Sequence, residues 1–153
     1  MFYCELELFD DEIYLKLDKV QSENLKKGYV PSYHFKIFRV LDKKELGICD
    51  LRIGHNKNTF YGGNIGYFID EKYRGHNYAG KASLLLFKLA LKHNMDYLLV
   101  TCSTQNIASI KTIKYIGGEF TDLLYIPCDH EMYKEGIIKV FQYKVNLLRN
   151  NFV

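Results

Sequence analysis

Tryptophan is absent from this 153-residue chain, and proline occurs only at Pro31 and Pro127. The four cysteines, Cys4, Cys49, Cys102 and Cys128, are widely spaced and form no C-x-x-C pair. That spacing supplies neither a zinc site nor a disulfide framework, so they read as reduced thiols in a cytoplasmic protein and no metal is expected. Long apolar runs are also missing. The best, Leu84 to Leu91, is broken by Lys88, which excludes a membrane span, and the acidic stretch Met1 to Asp11 lacks the apolar core of a signal peptide. No run of five like charges occurs, and the net charge of +3 arises from 21 basic and 18 acidic residues spread along the chain. Such a surface gives only a mild bias toward anions, and neither nucleic acid nor a membrane is expected as a partner. Repeats, low-complexity segments and linkers are absent too, so residues 1–153 are read as a single domain.

What is present divides into two rhythms. In the first half, Ile13, Leu15 and Leu17 alternate with polar residues, and Tyr33 to Leu41 and Glu45 to Ile53 are rich in β-branched and aromatic residues, so three strands are predicted. A short helix ended by Gly28 is expected between Val20 and Pro31. In the second half a strand at Ile65 to Ile69 precedes Ala82, Leu85, Leu86 and Leu89, the i, i+3, i+4, i+7 pattern of an amphipathic helix ending near Asn94. Tyr97 to Cys102 suits a central strand covered on both faces, and Ile107 to Ile116 a helix closed by Gly117 and Gly118. Strands near Glu119 to Tyr125 and Ile137 to Leu147 complete an α/β (α+β) class, a mixed central sheet of about seven strands with helices.

Between the Ile65 strand and the helix lies YRGHNYAGKA, Tyr73 to Ala82. A helix N-terminus offers unpaired N–H groups and a positive dipole end, and small residues let an anion approach. Three anion loops compete. The dinucleotide fingerprint G-x-G-x-x-G is not matched. The triphosphate loop G-x-x-x-x-G-K-[ST] fails at Ala82, which has no hydroxyl for magnesium. The third, [QR]-x-x-G-x-[GA], wraps the pyrophosphate of coenzyme A. Arg74, Asn77 and Ala79 occupy its positions, and Asn77 in place of glycine is tolerable because asparagine adopts left-handed backbone readily.

On IGYFIDEKYRGHNYAGKA and YLLVTCSTQNIASIKTIKYIGGEF, the chain resembles the GCN5-related N-acetyltransferase superfamily from about Gly63 to Phe120. The resemblance implies the acyl-CoA N-acyltransferase fold, with helices on both faces of the sheet and its fourth and fifth strands splayed. It further implies acetyl-CoA as co-substrate, an amine as acceptor, and direct transfer between them in a ternary complex. A homodimer is compatible with it. The pantetheine arm would bond backbone groups at Phe68 and Ile69. The pyrophosphate would lie on Arg74, Gly75, His76, Asn77, Tyr78, Ala79, Gly80 and Lys81, with Asn106 and Ser109 reaching the pantetheine amide and the thioester. Asn106 also suits a helix cap.

In its catalytic groups the chain departs from the family pattern. The usual glutamate position is Gly63, and the usual tyrosine acid, seven residues after Asn106, is Ile113. Tyr115 is turned by about 200° around the helix and is a poor substitute. Ser109 is therefore expected to stabilise the leaving sulfur. The base stays open among His34, Glu71, His55 and a water held by Asn64. Two functions fit: an N-acetyltransferase acting on a small amine or a peptide N-terminus, and a catalytically weak acyl-CoA-binding or sensing module.

Overall fold

The computed structural model describes residues 1–150. The elements in chain order are β1 (Leu8–Phe9), β2 (Ile13–Gln21), β3 (Ser32–Arg39), β4 (Glu45–Arg52), α1 (Lys57–Gly62), β5 (Ile65–Ile69), α2 (Tyr78–Lys92), β6 (Tyr97–Ser103), α3 (Ile107–Tyr115), β7 (Glu119–Tyr125), α4 (Glu131–Lys134), β8 (Lys139–Asn146) and α5 (Leu147–Asn150). The α/β expectation holds, but the single mixed sheet does not. The strands form two antiparallel sheets, β1-β2-β3-β4-β5 and β6-β8-β7.

No ladder joins β5 to β6, and a single asparagine bridges them. Asn64 donates its backbone N–H to the Leu99 carbonyl at 2.6 Å, and its Oδ1 accepts from Leu99 N–H at 2.9 Å. Its Nδ2 donates to the Arg52 and Gly54 carbonyls at 3.0 and 2.8 Å. These bonds satisfy a fully buried polar side chain and tie β4, β5 and β6 together at one point. Beyond it the two strands part.

The predicted periodicity builds the core. Ala82, Leu85, Leu86 and Leu89 of α2 are buried, with Phe87 and Ala90, against Ile13, Leu15, Tyr33, Phe35, Ile37, Cys49 and Leu51 of the larger sheet. Each large apolar side chain buried here contributes about 1.5–3 kcal/mol. On the other face of β3 and β4, His34, Asp50 and Arg52 are only partly buried, which frees them for a site. In β6, Leu98, Val100 and Cys102 are buried whereas Tyr97, Leu99 and Thr101 are only half-buried, so its two faces are not equally covered.

The helix expected between Val20 and Pro31 is absent. Val20 and Gln21 extend β2, and a turn closed by the Asn24–Tyr29 bridge follows. Gly28 does adopt a left-handed φ of 73°, but it shapes that turn. Helix α1 was not anticipated. Its signal is an asparagine cap: the Asn56 side chain accepts from Thr59 N–H at 3.0 Å, and Thr59 Oγ1 accepts from Asn56 N–H at 2.9 Å. All four cysteines are free, Cys4 and Cys128 exposed, Cys49 and Cys102 buried. No helix among the described residues is long and apolar enough to cross a membrane.

Candidate active site

The loop entering α2 has the geometry of an anion cradle. Gly75 has φ 95° with open space where a side chain would stand, and Asn77 is left-handed at φ 62°, as its place in the motif requires. Lys81 N–H bonds the Asn77 carbonyl at 3.1 Å, so the N–H groups of Tyr78, Ala79 and Gly80 precede the first turn's bonds. Arg74, Gly75, Asn77, Tyr78 and Ala79 line a cavity of about 330 Å³. His76, Gly80 and Lys81 do not. Lys81 is turned away into an ion pair with Glu12 at 2.8 Å, His76 lies exposed beside Tyr78, and Gly80 is buried where a Cβ would meet the Tyr115 ring at 2.7 Å. Gly80 is small because α3 packs on it.

At the edge of β5 the register corrects one sequence expectation. Arg52 N–H donates to the Asn64 carbonyl at 2.7 Å and Asp70 N–H to the Leu46 carbonyl at 2.8 Å, at either end of the β4–β5 register. In an antiparallel pair bonded and non-bonded residues alternate, so Gly66 and Phe68 spend their polar groups on β4. Those of Tyr67 and Ile69 face the gap. Arg74 Nε donates to the Ile69 carbonyl at 2.8 Å, which leaves Ile69 N–H and both polar groups of Tyr67 for an added strand. The Phe68 ring lies beneath the Arg74 guanidinium at 5.2 Å.

Where β5 and β6 separate, a second cavity of about 500 Å³ opens, lined by residues of both strands and by Met132 and Ile137. It shares Tyr67, Asn106 and Ser109 with the first cavity. Asn106 caps α3, its Oδ1 accepting from Ser109 N–H at 3.0 Å, and its Nδ2 is left for the gap. Ser109 Oγ lies 2.7 Å from Tyr67 Oη. Burial raises the Tyr67 phenol above its ordinary pKa, partly offset by its hydrogen bond with Ser109. The signal that sequence reading passed over was the alternation of Ile65, Tyr67 and Ile69, which puts Tyr67 on the helix side.

On the far side lies a third cleft of about 580 Å³, which shares Arg52, Gly62 and Met132 with the second as lining residues. His34 and Asp50 are directly opposed on β3 and β4, and both line it. His34 Nε2 is 3.0 Å from Ser32 Oγ, and burial lowers its pKa, with Asp50 opposing and Lys19 and Arg52 reinforcing the shift. His34 therefore stays neutral at neutral pH and can accept a proton. Arg52 forms an ion pair with Asp50, Nε to Oδ2 at 3.0 Å, and donates one terminal nitrogen to the Gly62 and Gly63 carbonyls at 2.9 and 2.8 Å. Glu131 and Glu135 form the outer wall, with Tyr29 Oη donating to Glu131 at 3.0 Å. Asp50, Glu131 and Glu135 carried no motif and were not anticipated.

The other candidate bases lie elsewhere. Asn64 is fully buried with its side chain spent on backbone, so it holds no catalytic water; its role is the bridge between sheets. His55 stacks on Tyr97 at 4.1 Å, and Glu71 lies exposed after β5. Steric limits explain the two missing family groups. Gly63 has φ 79°, and a Cβ there would stand 3.1 Å from the Leu99 carbonyl oxygen. Ile113 is fully buried beneath Gly118.

A family model described as the acetyltransferase (GNAT) domain matches residues 7–119. Among solved structures, one assigned as a ribosomal-protein-serine acetyltransferase of Vibrio cholerae aligns with TM-score 0.65 at 14% identity, covering 95% of this chain and 99% of that one. The Salmonella typhimurium acetyltransferase that modifies the N-terminal serine of ribosomal protein L7/L12 aligns with TM-score 0.56 at 17% identity, covering 79% and 66%. The microcin C7 self-immunity acetyltransferase MccE, solved with acetyl-CoA and AMP, aligns with TM-score 0.59 at 16% identity, covering 75% and 61%. No curated protein matches the chain. A cradle at a helix N-terminus, a gap between two strands and a family match over most of the chain converge: this protein belongs to the GNAT acetyltransferase family.

Proposed function

We propose that the protein is an acetyl-CoA-dependent N-acetyltransferase that transfers the acetyl group directly, in a ternary complex, to a primary amine of a small molecule or a peptide N-terminus. The observation that carries this reading is the sequence of three adjacent cavities with shared walls, from the cradle at Ala79, through the gap at Ser109, to the cleft at His34. Acetyl-CoA is placed along the first two, with its pyrophosphate on the N–H groups from Gly75 to Ala79 and its pantetheine beside Tyr67 and Ile69. Each charge-assisted bond contributes about 1.5–3 kcal/mol. The amine comes from the opposite side. Its nitrogen attacks the thioester carbon, the carbon–sulfur bond breaks, His34 takes the amine proton and Ser109 bonds the departing sulfur. The carboxylates of Glu131 and Glu135 favour a cationic acceptor, and the ribosomal-protein acetyltransferases among the structural neighbours support a peptide N-terminus.

The test has two arms. Acetyl-CoA at about 100 times its Kd should add about 2.7 kcal/mol of stability, seen as a thermal shift that ATP-magnesium does not reproduce. Release of free thiol from acetyl-CoA is then followed against polyamines, amino sugars, aminoglycosides and peptides with N-terminal serine or alanine. Steady release above hydrolysis with one of them supports the enzyme. Binding with silence across the panel assigns the protein instead to a catalytically weak acyl-CoA-binding or sensing module.

A further inference from the structure

A serine hydroxyl is a poor acid, so Ser109 alone does not explain how a thiolate leaving group would acquire its proton. Three residues line both the cofactor cavity and the gap: Tyr67, Asn106 and Ser109. Of these only Tyr67 carries a titratable proton, and its Oη lies 2.7 Å from Ser109 Oγ. The family position for a phenol is closed, because Ile113 is buried in the core. Here a phenol reaches Ser109 from β5, across the gap.

We propose that Tyr67 is the proton source for the departing sulfur and that Ser109 relays the proton. As the carbon–sulfur bond breaks, its electron pair stays on sulfur. The Ser109 hydroxyl proton passes to the sulfur and the Tyr67 proton passes to Ser109. The tyrosinate is reprotonated from solvent once the thiol has left. Burial keeps the Tyr67 phenol protonated until it is needed. The other ionisable groups around the gap are Cys102 on β6, Arg52 on β4, Lys139 on β8, and Tyr73, Arg74 and Tyr78 near the cradle. Arg52 is paired with Asp50 and Arg74 Nε is bonded to a carbonyl, while the Cys102 thiol, which burial also holds up, is the competing proton donor on this gap.

This inference rests on the acetyl-CoA reading, and its test separates the two. Tyr67→Phe keeps the ring and removes one oxygen, and calorimetry with acetyl-CoA confirms that the variant folds and binds. Expected is a fall in kcat of about tenfold to hundredfold with Kd nearly unchanged, and loss of the basic limb of the kcat–pH profile. The double variant Tyr67→Phe, Ser109→Ala should be no slower than the slower single variant, because the two hydroxyls act in one line. Titration of the thiol in the CoA complex, followed by thiolate absorbance, gives a readout without turnover: a wild-type thiol more acidic than free CoA, with part of that shift lost in Tyr67→Phe, where Ser109 still donates. Unchanged kcat in Tyr67→Phe, multiplicative losses in the double variant, or an unshifted bound thiol would overturn the relay. A shifted thiol in a protein that acetylates nothing would sink the enzyme reading and leave the Tyr67 contact standing.

Discussion

The cavity at the α2 cradle and the cleft at His34 are built in opposite ways. The first is largely backbone: a left-handed Asn77, a glycine at φ 95° and the N–H groups of one helix end, supplied by a short stretch of chain. The second is made of side chains gathered from Ser32, His34, Asp50, Arg52, Asn58 and Glu131, with α4 folded across from the smaller sheet. A backbone site needs particular residues at fixed spacing and so leaves a motif. A side-chain site needs only that topology bring its residues together, so their order in the chain carries no signal.

The sharpest way to break the comparison is His34→Gln. If a side chain of the acceptor cleft takes the amine proton, kcat/KM should fall by about a hundredfold or more while the acetyl-CoA Kd measured by calorimetry stays put. In the wild type the acid limb should lie below the ordinary histidine range, since burial lowers the His34 pKa, and that limb should vanish in the variant. A full-rate His34→Gln would move the base to Asp50 or to solvent.

The reciprocal change is Ala79→Glu. A carboxylate suits the first turn of a helix, so the fold should hold, but it places a charge against the pyrophosphate. Acetyl-CoA affinity should weaken by about tenfold to hundredfold at unchanged unliganded Tm. Undiminished binding would place the pyrophosphate away from α2.

Gly80→Val probes the seam between α2 and α3. Its Cβ would sit 2.5 Å from Asn77 Oδ1 and 2.7 Å from the Tyr115 ring, so urea denaturation should show a loss of about 1–3 kcal/mol. Adding Tyr115→Ala should recover part of it. Ile113→Tyr should cost a similar amount and restore no acid, because that side chain faces the core.

The smallest effect concerns both halves at once. Burial lowers the pKa of His34, His55 and His93, so the unfolded chain binds protons that the folded one resists. Stability should therefore decline as pH falls through the unfolded histidine value of about 6.5 and toward the lower folded values. Denaturation midpoints between neutral and mildly acid pH measure it, and a flat profile would contradict the burial of these rings.

The sequence by itself determined the elements with strong periodicity, β2 to β6 with α2 and α3, and the loop around Asn77, because local pattern and backbone conformation are encoded within a few residues. It did not determine the division into two sheets. That depends on Asn64 meeting Leu99, 35 residues away, and then on the strands parting. It gave no sign that Tyr67 faces Ser109, 42 residues away, nor that Lys81 turns to Glu12 and Gly80 to Tyr115. These are contacts between elements, decided only when the register of β4 on β5 and the packing of α3 on α2 fix which way each side chain points.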